Sequence, residues 1–370
     1  MKFQISREAL LKPLTLVAGV VERRQTLPIL ANARLDLDGS NLSLTGTDLE
    51  VEMTGRVALE GAADAGQLTA PARKLLDICK ALPEGSTLTF ALKDENRLQI
   101  TSGRSRFSLT TLPASDFPGV EEGQEDFQLQ VSQGELRHLI ERTAFAMAQQ
   151  DVRYYLNGML WEVSKGQLRV VATDGHRLAM SIYKSDSIQS EGRHQLIVPR
   201  KGVLELQRLL TNDESPVTLV FGKNHVRAIT SEFTFTSKLV DGKFPDYERV
   251  LPKGGTKHVD APREALRQAL GRVAILSNEK YRGVRVILSE NQMQVLANNP
   301  EQEEAEESVA VTYKGSGLEI GFNVSYLLDV TGVLTDEQVR LTLSDSNSSA
   351  LIESASGDGS SVYVVMPMRL

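Results

Sequence analysis

The sequence predicts an α+β protein built as three similar domains, each with two helices packed on antiparallel sheet. Three observations carry that prediction. A strand-and-turn segment occurs three times, as Leu42 to Asp48, Leu168 to Asp174 and Met293 to Asn299, at intervals of about 125 residues. A short helical segment recurs in the same register, opening at Pro71, Pro199 and Asn323. The rest of each third alternates apolar and polar residues, as half-buried strands do.

Each third opens with a longer amphipathic helix, expected over Arg7 to Val21, Ser132 to Gln149 and Ala261 to Ser277. The repeated strand follows, and its terminal Asp48, Asp174 or Asn299 suits a chain reversal because a short polar side chain can hydrogen-bond its own backbone. In the short helices Pro71 and Pro199 stand at the start, where a missing N–H costs least. Further strands are expected at Leu88 to Leu92, Leu98 to Thr101, Phe107 to Thr111, Val217 to Phe221, Val339 to Leu343 and Val362 to Val365. Polar stretches rich in Gly or acid, Gly119 to Asp126 and Pro252 to Thr256, read as linkers and divide the chain into domains 1–125, 126–253 and 254–370.

Composition narrows the function. With 41% hydrophobic and 24% charged residues, disorder, collagen and coiled coil are excluded. The single Cys79 forms no internal disulfide, which fits a reducing, cytoplasmic setting. The start MKFQISREAL turns polar at once and Leu10 to Val21 is broken by Lys12 and Pro13, so neither a signal peptide nor a membrane span is expected. The net charge of −7 argues, taken whole, against a nucleic-acid binder. Its distribution argues the reverse. The six helical segments together carry seven more Lys and Arg than Asp and Glu, leaving the rest of the chain twice as acidic as the whole. A positive helix layer in an acidic protein is a surface for phosphate.

No phosphate-binding glycine loop, zinc-protease helix or nucleophile elbow is present, and the histidines at 138, 176, 194, 225 and 258 include no pair at metal-ligand spacing. No cofactor and no metal are expected. Thr173-Asp174-Gly175-His176-Arg177 is the only cluster resembling a catalytic constellation, through its Asp-His pair. The equivalent positions Thr47-Asp48-Leu49-Glu50 and Asn298-Asn299-Pro300-Glu301 lack the histidine, so a turn beside a surface pocket is the preferred reading and no catalytic residue is assigned.

In this order, Leu27-Pro-Ile-Leu30, Leu44 to Glu50, Ser102-Gly-Arg-Ser-Arg-Phe107, Gln150 to Gly158, Ala172 to Leu178, Phe244-Pro-Asp-Tyr247, Asn299 to Glu307 and Val364 to Leu370 resemble the bacterial sliding-clamp family, the β subunit of DNA polymerase III, over essentially the whole chain. The resemblance implies the DNA clamp fold: a head-to-tail homodimer closed into a ring of six domains, helices lining the hole and sheets on the rim. It also implies a non-catalytic processivity factor for DNA replication and repair, cytoplasmic and nucleoid-associated. Its positive lining would hold the phosphate backbone without reading sequence, and topology would retain it. Residues placed on the DNA-facing side by similarity are Arg24, Arg73, Gln150, Arg153, Tyr154, Lys201, Arg208 and Arg282. Of the pair Tyr154-Tyr155, expected at a strand entry, one ring should be core and the other free to stack on a base.

Ring closure needs two unlike surfaces. Arg104, Arg106, Phe107 and Leu109 read as a basic edge strand, and Glu301, Glu303, Glu304, Glu306 and Glu307 as its acidic counterpart, with Ile275 and Leu276 supplying apolar contact by family resemblance. The chain end, with its methionines, suits a groove that accepts several peptides. Matched to the family, the partner pocket comprises Leu156, Thr173, Gly175, His176, Arg177, Leu178, Pro245, Arg249, Val250, Asn323, Tyr326, Ser349, Val364, Met366, Pro367, Met368, Arg369 and Leu370. The guests implied are peptide motifs of the polymerase III α subunit, the clamp loader, other DNA polymerases, mismatch-repair proteins and ligase. The competing readings are an oligomeric enzyme using His176 and an ordinary duplex-binding protein; neither accounts for the threefold repeat.

Overall fold

The computed structural model describes residues 1–21, 27–94, 96–120, 125–357 and 359–369. The first third runs β1 (Lys2–Ser6), α1 (Arg7–Val20), β2 (Asn32–Asp38), β3 (Asn41–Thr47), β4 (Val51–Ala58), β5 (Gly66–Pro71), α2 (Ala72–Ala81), β6 (Thr87–Asp94), β7 (Arg97–Ser102) and β8 (Ser105–Thr110). The second repeats that order as β9 (Glu125–Ser132), α3 (Gln133–Glu141), β10 (Gly158–Ser164), β11 (Gln167–Thr173), β12 (Arg177–Lys184), β13 (His194–Pro199), α4 (Arg200–Leu209), β14 (Pro216–Gly222), β15 (His225–Ile229) and β16 (Phe233–Lys238). The third does so again: β17 (Lys257–Pro262), α5 (Arg263–Val273), β18 (Gly283–Ser289), β19 (Gln292–Asn298), β20 (Glu304–Ala310), β21 (Leu318–Asn323), α6 (Val324–Val333), β22 (Gln338–Leu343), β23 (Ala350–Ser354) and β24 (Ser361–Val365).

All pairing is antiparallel, and each third makes two four-stranded sheets. Those sheets do not stop at the sequence repeats. Strand β4 pairs with β16, fusing two of them into the eight-stranded order β5-β2-β3-β4-β16-β15-β14-β9, and β12 pairs with β24 to give β13-β10-β11-β12-β24-β23-β22-β17. The chain therefore gathers into two compact units that cut across the repeats, one of residues 1–134 and 208–239, the other of residues 135–207 and 240–370. The two joints share one register. Phe235 lies opposite Met53 at the first, and its structural equivalent Tyr363 lies opposite Ala179, the equivalent of Met53, at the second.

Within the first unit α1 packs on α2, β3 and β4. Its apolar face of Leu10, Leu14, Val17 and Ala18 is buried. It comes so close that a Cβ on Gly46 would sit 2.8 Å from Val17 and one on Gly55 2.8 Å from Pro13. In the second unit α5 packs on α6, β19 and β20. Trp161 is fully buried on β10. The tract before β24 fastens that strand, because Ser360 O accepts from Ile182 N and the Ser181 and Ser361 hydroxyls lie 2.9 Å apart.

Three expectations about the helices need correction. The helix expected over Ser132 to Gln149 ends at Glu141, where the Thr143 hydroxyl bonds back to Leu139 O at 2.7 Å and diverts the chain into a 3-10 turn, Ala144–Ala146. That expected over Ala261 to Ser277 begins at Arg263, is α-helical to Val273, and closes as a 3-10 turn. Pro71 and Pro199 are the last residues of β5 and β13, one position ahead of the helices they precede. The Tyr154-Tyr155 pair stands on a 3-10 turn and not at a strand entry. Asp48 behaves as expected, its Oδ1 accepting from Glu50 N and Val51 N at 2.9 and 2.8 Å.

Because Gly55 faces backbone as well as side-chain atoms of Pro13, Gly55→Ala should destabilise the protein by about 2 kcal/mol. Urea unfolding measures this; an unchanged midpoint would mean that α1 lifts off without cost.

Candidate functional site

The turn Thr173 to Arg177 joins β11 to β12 within the second unit. Asp174 Oδ1 accepts from His176 N and Arg177 N at 2.9 and 3.0 Å, and Thr173 Oγ1 donates to Arg177 O at 2.6 Å. Gly175 sits at φ +88°, and a Cβ there would lie 2.8 Å from Arg153 Nη1. The positive φ is what favours glycine there, since the arginine tip can move aside. The other oxygen of Asp174 accepts from Arg177 Nε at 3.2 Å, so the carboxylate is committed to the turn and to Arg177 and does not orient His176 as a base.

Arg177 is the centre of this region. Its guanidinium pairs with Asp174 and Asp329, donates to Phe145 O at 2.8 Å, and lies 4.5 Å from the Tyr326 ring centroid and 5.2 Å from that of Phe145. An arginine so enclosed ties the turn to α6 and to the 3-10 turn after α3. Burial, with Asp174 nearby, pushes the Tyr326 phenol above its ordinary range.

The chain end lies along the same turn. Met366 N donates to His176 O at 3.0 Å and Met368 N to Gly321 O at 2.9 Å, which lays the tail beside β12 and β21. Met366 is 46% exposed and Val250 44%, and Leu156, Leu178 and Val364 are buried. Leu178 and Val364 belong to one apolar cluster with Leu160, Val171, Met180, Ile197, Phe244 and Tyr247. His176, Pro245, Arg249 and Arg369 are exposed; Asn323, Ser349, Pro367 and Met368 are half-buried. Asn323 caps α6 by accepting from Ser325 N at 2.9 Å. Leu370 lies outside the described residues. Of the predicted pocket residues the structure joins Arg177 to Tyr326, Leu178 to Val364 and His176 to Met366. Phe145 and Asp329 were missed from the sequence. Asp329 had a signal, since it matches Asp77 and Glu205 in the repeated short helix.

The DNA-facing set is less uniform. Gln150, Arg153 and Tyr154 share one loop, where Val152 is 94% exposed and Tyr154 56%. Tyr155 packs against the apolar cluster, edge-on to Tyr154 at 5.7 Å between centroids. Arg153 grips Asp151 with Nε and Nη2 at 3.0 and 2.8 Å and also donates to Asp174 O. That grip lowers the Asp151 carboxyl to about 2. Arg73 donates to Val21 O at 2.6 Å, and Arg282 to Ala274 O at 3.0 Å, so both guanidinia partly serve helix ends. Lys201 and Arg208 lie on α4 and have interactions of their own. Arg24 lies outside the described residues.

Among the strands that end sheets are β8, beside β7 in the first unit, and β20, beside β19 in the second; they are the counterparts of the strands that pair across repeats at β4–β16 and β12–β24. Arg106 is exposed on β8, where Phe107 is half-buried and Leu109 buried, and Arg104 is exposed in the preceding turn. On β20, Glu304 and Glu306 are exposed. Glu307 points to the opposite face and is held by Arg272 at 2.6 and 2.9 Å, which lowers its carboxyl below the usual range. Glu303 accepts from Asn299 Nδ2 at 2.6 Å, and Glu301 lies in the preceding turn. The acidic run is therefore a strand with two faces and not a uniform strip. Next to it Ile275 is 76% exposed, while Leu276 is half-buried.

Among the described residues no group of His, Cys, Asp and Glu could hold a metal ion, and no helix is long and apolar enough to cross a membrane. A two-sheet unit repeated three times and joined edge to edge defines the class as a DNA clamp fold. Models of the DNA polymerase III beta subunit match its N-terminal domain at residues 1–121, its central domain at 130–246 and its C-terminal domain at 248–369. The beta sliding clamp of Pseudomonas putida is 66% identical over 370 residues, and that of Escherichia coli K12 is 55% identical over 371, each alignment covering 100% of both chains. The crystal structure of a DNA polymerase sliding clamp from Pseudomonas aeruginosa, 64% identical, superposes with a TM-score of 0.97 over 100% of both chains, as does that of a sliding clamp from the same organism bound to griselimycin. The chain belongs to the DNA polymerase III beta subunit family. It is a DNA polymerase processivity clamp and not a catalytic subunit.

The enclosed Arg177 yields a stability test. Replacing it by Ala takes away the ion-pair partner of Asp174 and Asp329, though Asp174 keeps its backbone N–H donors, and empties the space between the Phe145 and Tyr326 rings, which should cost about 2 kcal/mol. Differential scanning calorimetry reads that loss; a transition unmoved from wild type would show the guanidinium to be dispensable.

Proposed function

We propose that the chain closes head to tail with a second copy into a ring around duplex DNA, and that the groove beside the tail receives peptide segments of its partners. One observation carries the ring. At both internal joints a strand of the β4 type pairs with one of the β8 type, β4 with β16 and β12 with β24, and the members left over are β20 and β8. Continuing the shared register places Phe107 of one copy, equivalent to Phe235 and Tyr363, opposite Ala305 of the next, equivalent to Met53 and Ala179. It also sets Arg106 opposite Glu306. Opposite charges on facing strands favour that pairing, and Ile275 adds exposed apolar surface beside it.

The ring comprises three clamp domains per copy, 1–125, 126–253 and 254–370. Its positive helices, with Arg24, Arg73, Gln150, Arg153, Tyr154, Lys201, Arg208 and Arg282, touch the phosphate backbone without reading bases. The protein works in the cytoplasm at the nucleoid. The groove lined by Leu178, Val364 and Met366 takes an apolar anchor from the polymerase III α subunit, the clamp loader, other polymerases, mismatch-repair proteins or ligase, and takes griselimycin in the same place.

Ile275→Ala with Leu276→Ala should shift the protein to single chains in sedimentation velocity. Phe107→Cys with Ala305→Cys should oxidise to a covalently closed dimer, whereas Phe107→Cys with Glu303→Cys should not. An unchanged mass in the first experiment, or equal cross-linking in the second, counts against the ring. Deleting residues 366–370 should abolish griselimycin binding in calorimetry and leave the dimer intact; titration at wild-type affinity would overturn the groove assignment.

A further inference from the structure

The segment between β16 and β17 carries Pro245, Arg249 and Val250 along the proposed groove, yet apart from one 3-10 turn, Tyr247–Arg249, it has no regular structure. Such a segment needs an anchor to present a fixed wall. Phe244 and Tyr247 supply the apolar part, buried against the sheet face that also holds Leu178 and Val364. The polar part lies beneath Tyr247.

Glu162 on β10 is 2% exposed in the middle of that sheet. Its register partners are Arg169 on β11 and Gln195 on β13, so three polar side chains form a row across an otherwise apolar face. Glu162 Oε1 accepts from the Tyr247 hydroxyl at 3.0 Å and from Arg169 Nη1 at 3.2 Å. Oε2 accepts from Gln195 Nε2 at 2.5 Å and from Arg193 Nε at 2.7 Å. Arg169 Nη1 donates to the Tyr247 hydroxyl at 2.6 Å as well. The phenol therefore gives its one proton to the carboxylate and receives hydrogen bonds from the arginines. Burial alone would raise the Glu162 carboxyl, but the hydrogen bonds from Gln195, Arg193 and Tyr247 outweigh it and leave it ionised.

A buried charge so fully partnered is costly to build, and its specific effect is to fix geometry. Within this network only Tyr247 and Glu248 belong to the groove segment; Arg169 and Arg193 both reach Glu248, at 3.7 and 3.2 Å. We propose that Glu162 is a positioning residue for partner binding, holding Tyr247 and through it the groove wall of Pro245, Arg249 and Val250. The inference rests on the groove reading above. Glu162 does not touch the guest; it sets how wide the groove stands before the guest arrives, so that binding is not charged with ordering the wall.

Glu162→Gln and Tyr247→Phe test this, with griselimycin as the probe and the full-length dimer as the sample. Each should weaken binding about tenfold, mainly through faster dissociation. Amide exchange at Arg249 and Val250, whose N–H groups bond to Asp246 O and Tyr247 O, should quicken in the free protein. The double variant should lose no more than the weaker-binding single one, because both act through one hydrogen bond. Tyr247→Phe removes a single hydroxyl and keeps the experiment decisive if Glu162→Gln does not fold. Wild-type affinity in Tyr247→Phe overturns the proposal, and so does weakened binding with unchanged exchange at Arg249 and Val250. If the wild-type dimer does not bind griselimycin, or binds it equally without residues 366–370, the groove reading itself fails and this inference with it.

Discussion

The constraint behind the whole molecule is that the edge of a β-sheet must be paired or protected. A four-stranded sheet in each third would leave an edge at every boundary, and the protein meets this by pairing the last strand of one repeat, β16 or β24, with an edge strand of the repeat before it, β4 or β12. The β4–β16 and β12–β24 joints turn four small sheets into two of eight strands. Strands so joined lie about 180 residues apart in sequence, as Gly55 and Phe233 do, yet they are the seams on which each compact unit depends.

The course of the chain end in the second unit follows from one such joint. Strand β24 lies beside β12, and the chain leaving β24 must pass the turn that begins β12; Met366 N bonded to His176 O is that passage. The first joint repeats the contact, with Lys238 N donating to Glu50 O at 2.9 Å. What differs is the chemistry placed on the repeated frame. The second turn has Gly175 and an arginine enclosed by two rings, whereas the first has Leu49 forced to φ +77°, a conformation that leucine adopts only with strain. A duplicated backbone has kept its hydrogen bonds while the side chains placed on it have diverged.

Much of this was legible in the chain itself, because a repeat announces itself in pattern. Alternation at Leu42 to Thr47 and its two copies specified strands, and the closing Asp specified the turn through its side-chain acceptor. Helix ends were harder. Nothing in the apolar spacing of Ser132 to Gln149 shows that the Thr143 hydroxyl will compete with the helix for the Leu139 carbonyl. The fused sheets were invisible for another reason: which edge meets which is decided by three-dimensional packing and not by local pattern. At the site, Arg177 was legible as a member and illegible as the hub, since its partners Phe145, Tyr326 and Asp329 come from two other elements. Glu162 stands inside the apolar run Met159 to Val163, which hints at burial, but its partners come from β11, β13 and the segment after β16 and cannot be read from that run.

The charges on β8 and β20 have a consequence beyond attraction. Strand β8 presents Arg106, with Arg104 in the turn before it, and β20 presents Glu304 and Glu306. Laying β8 against another β8 would bring guanidinium to guanidinium, and β20 against β20 would oppose carboxylates, each a repulsive arrangement on facing strands. Like edges therefore reject each other. The chain carries a polarity written in charge, a plus end and a minus end, so edge-to-edge association of its copies favours head-to-tail contacts around a circle or along a line over contacts that pair an edge with its own kind.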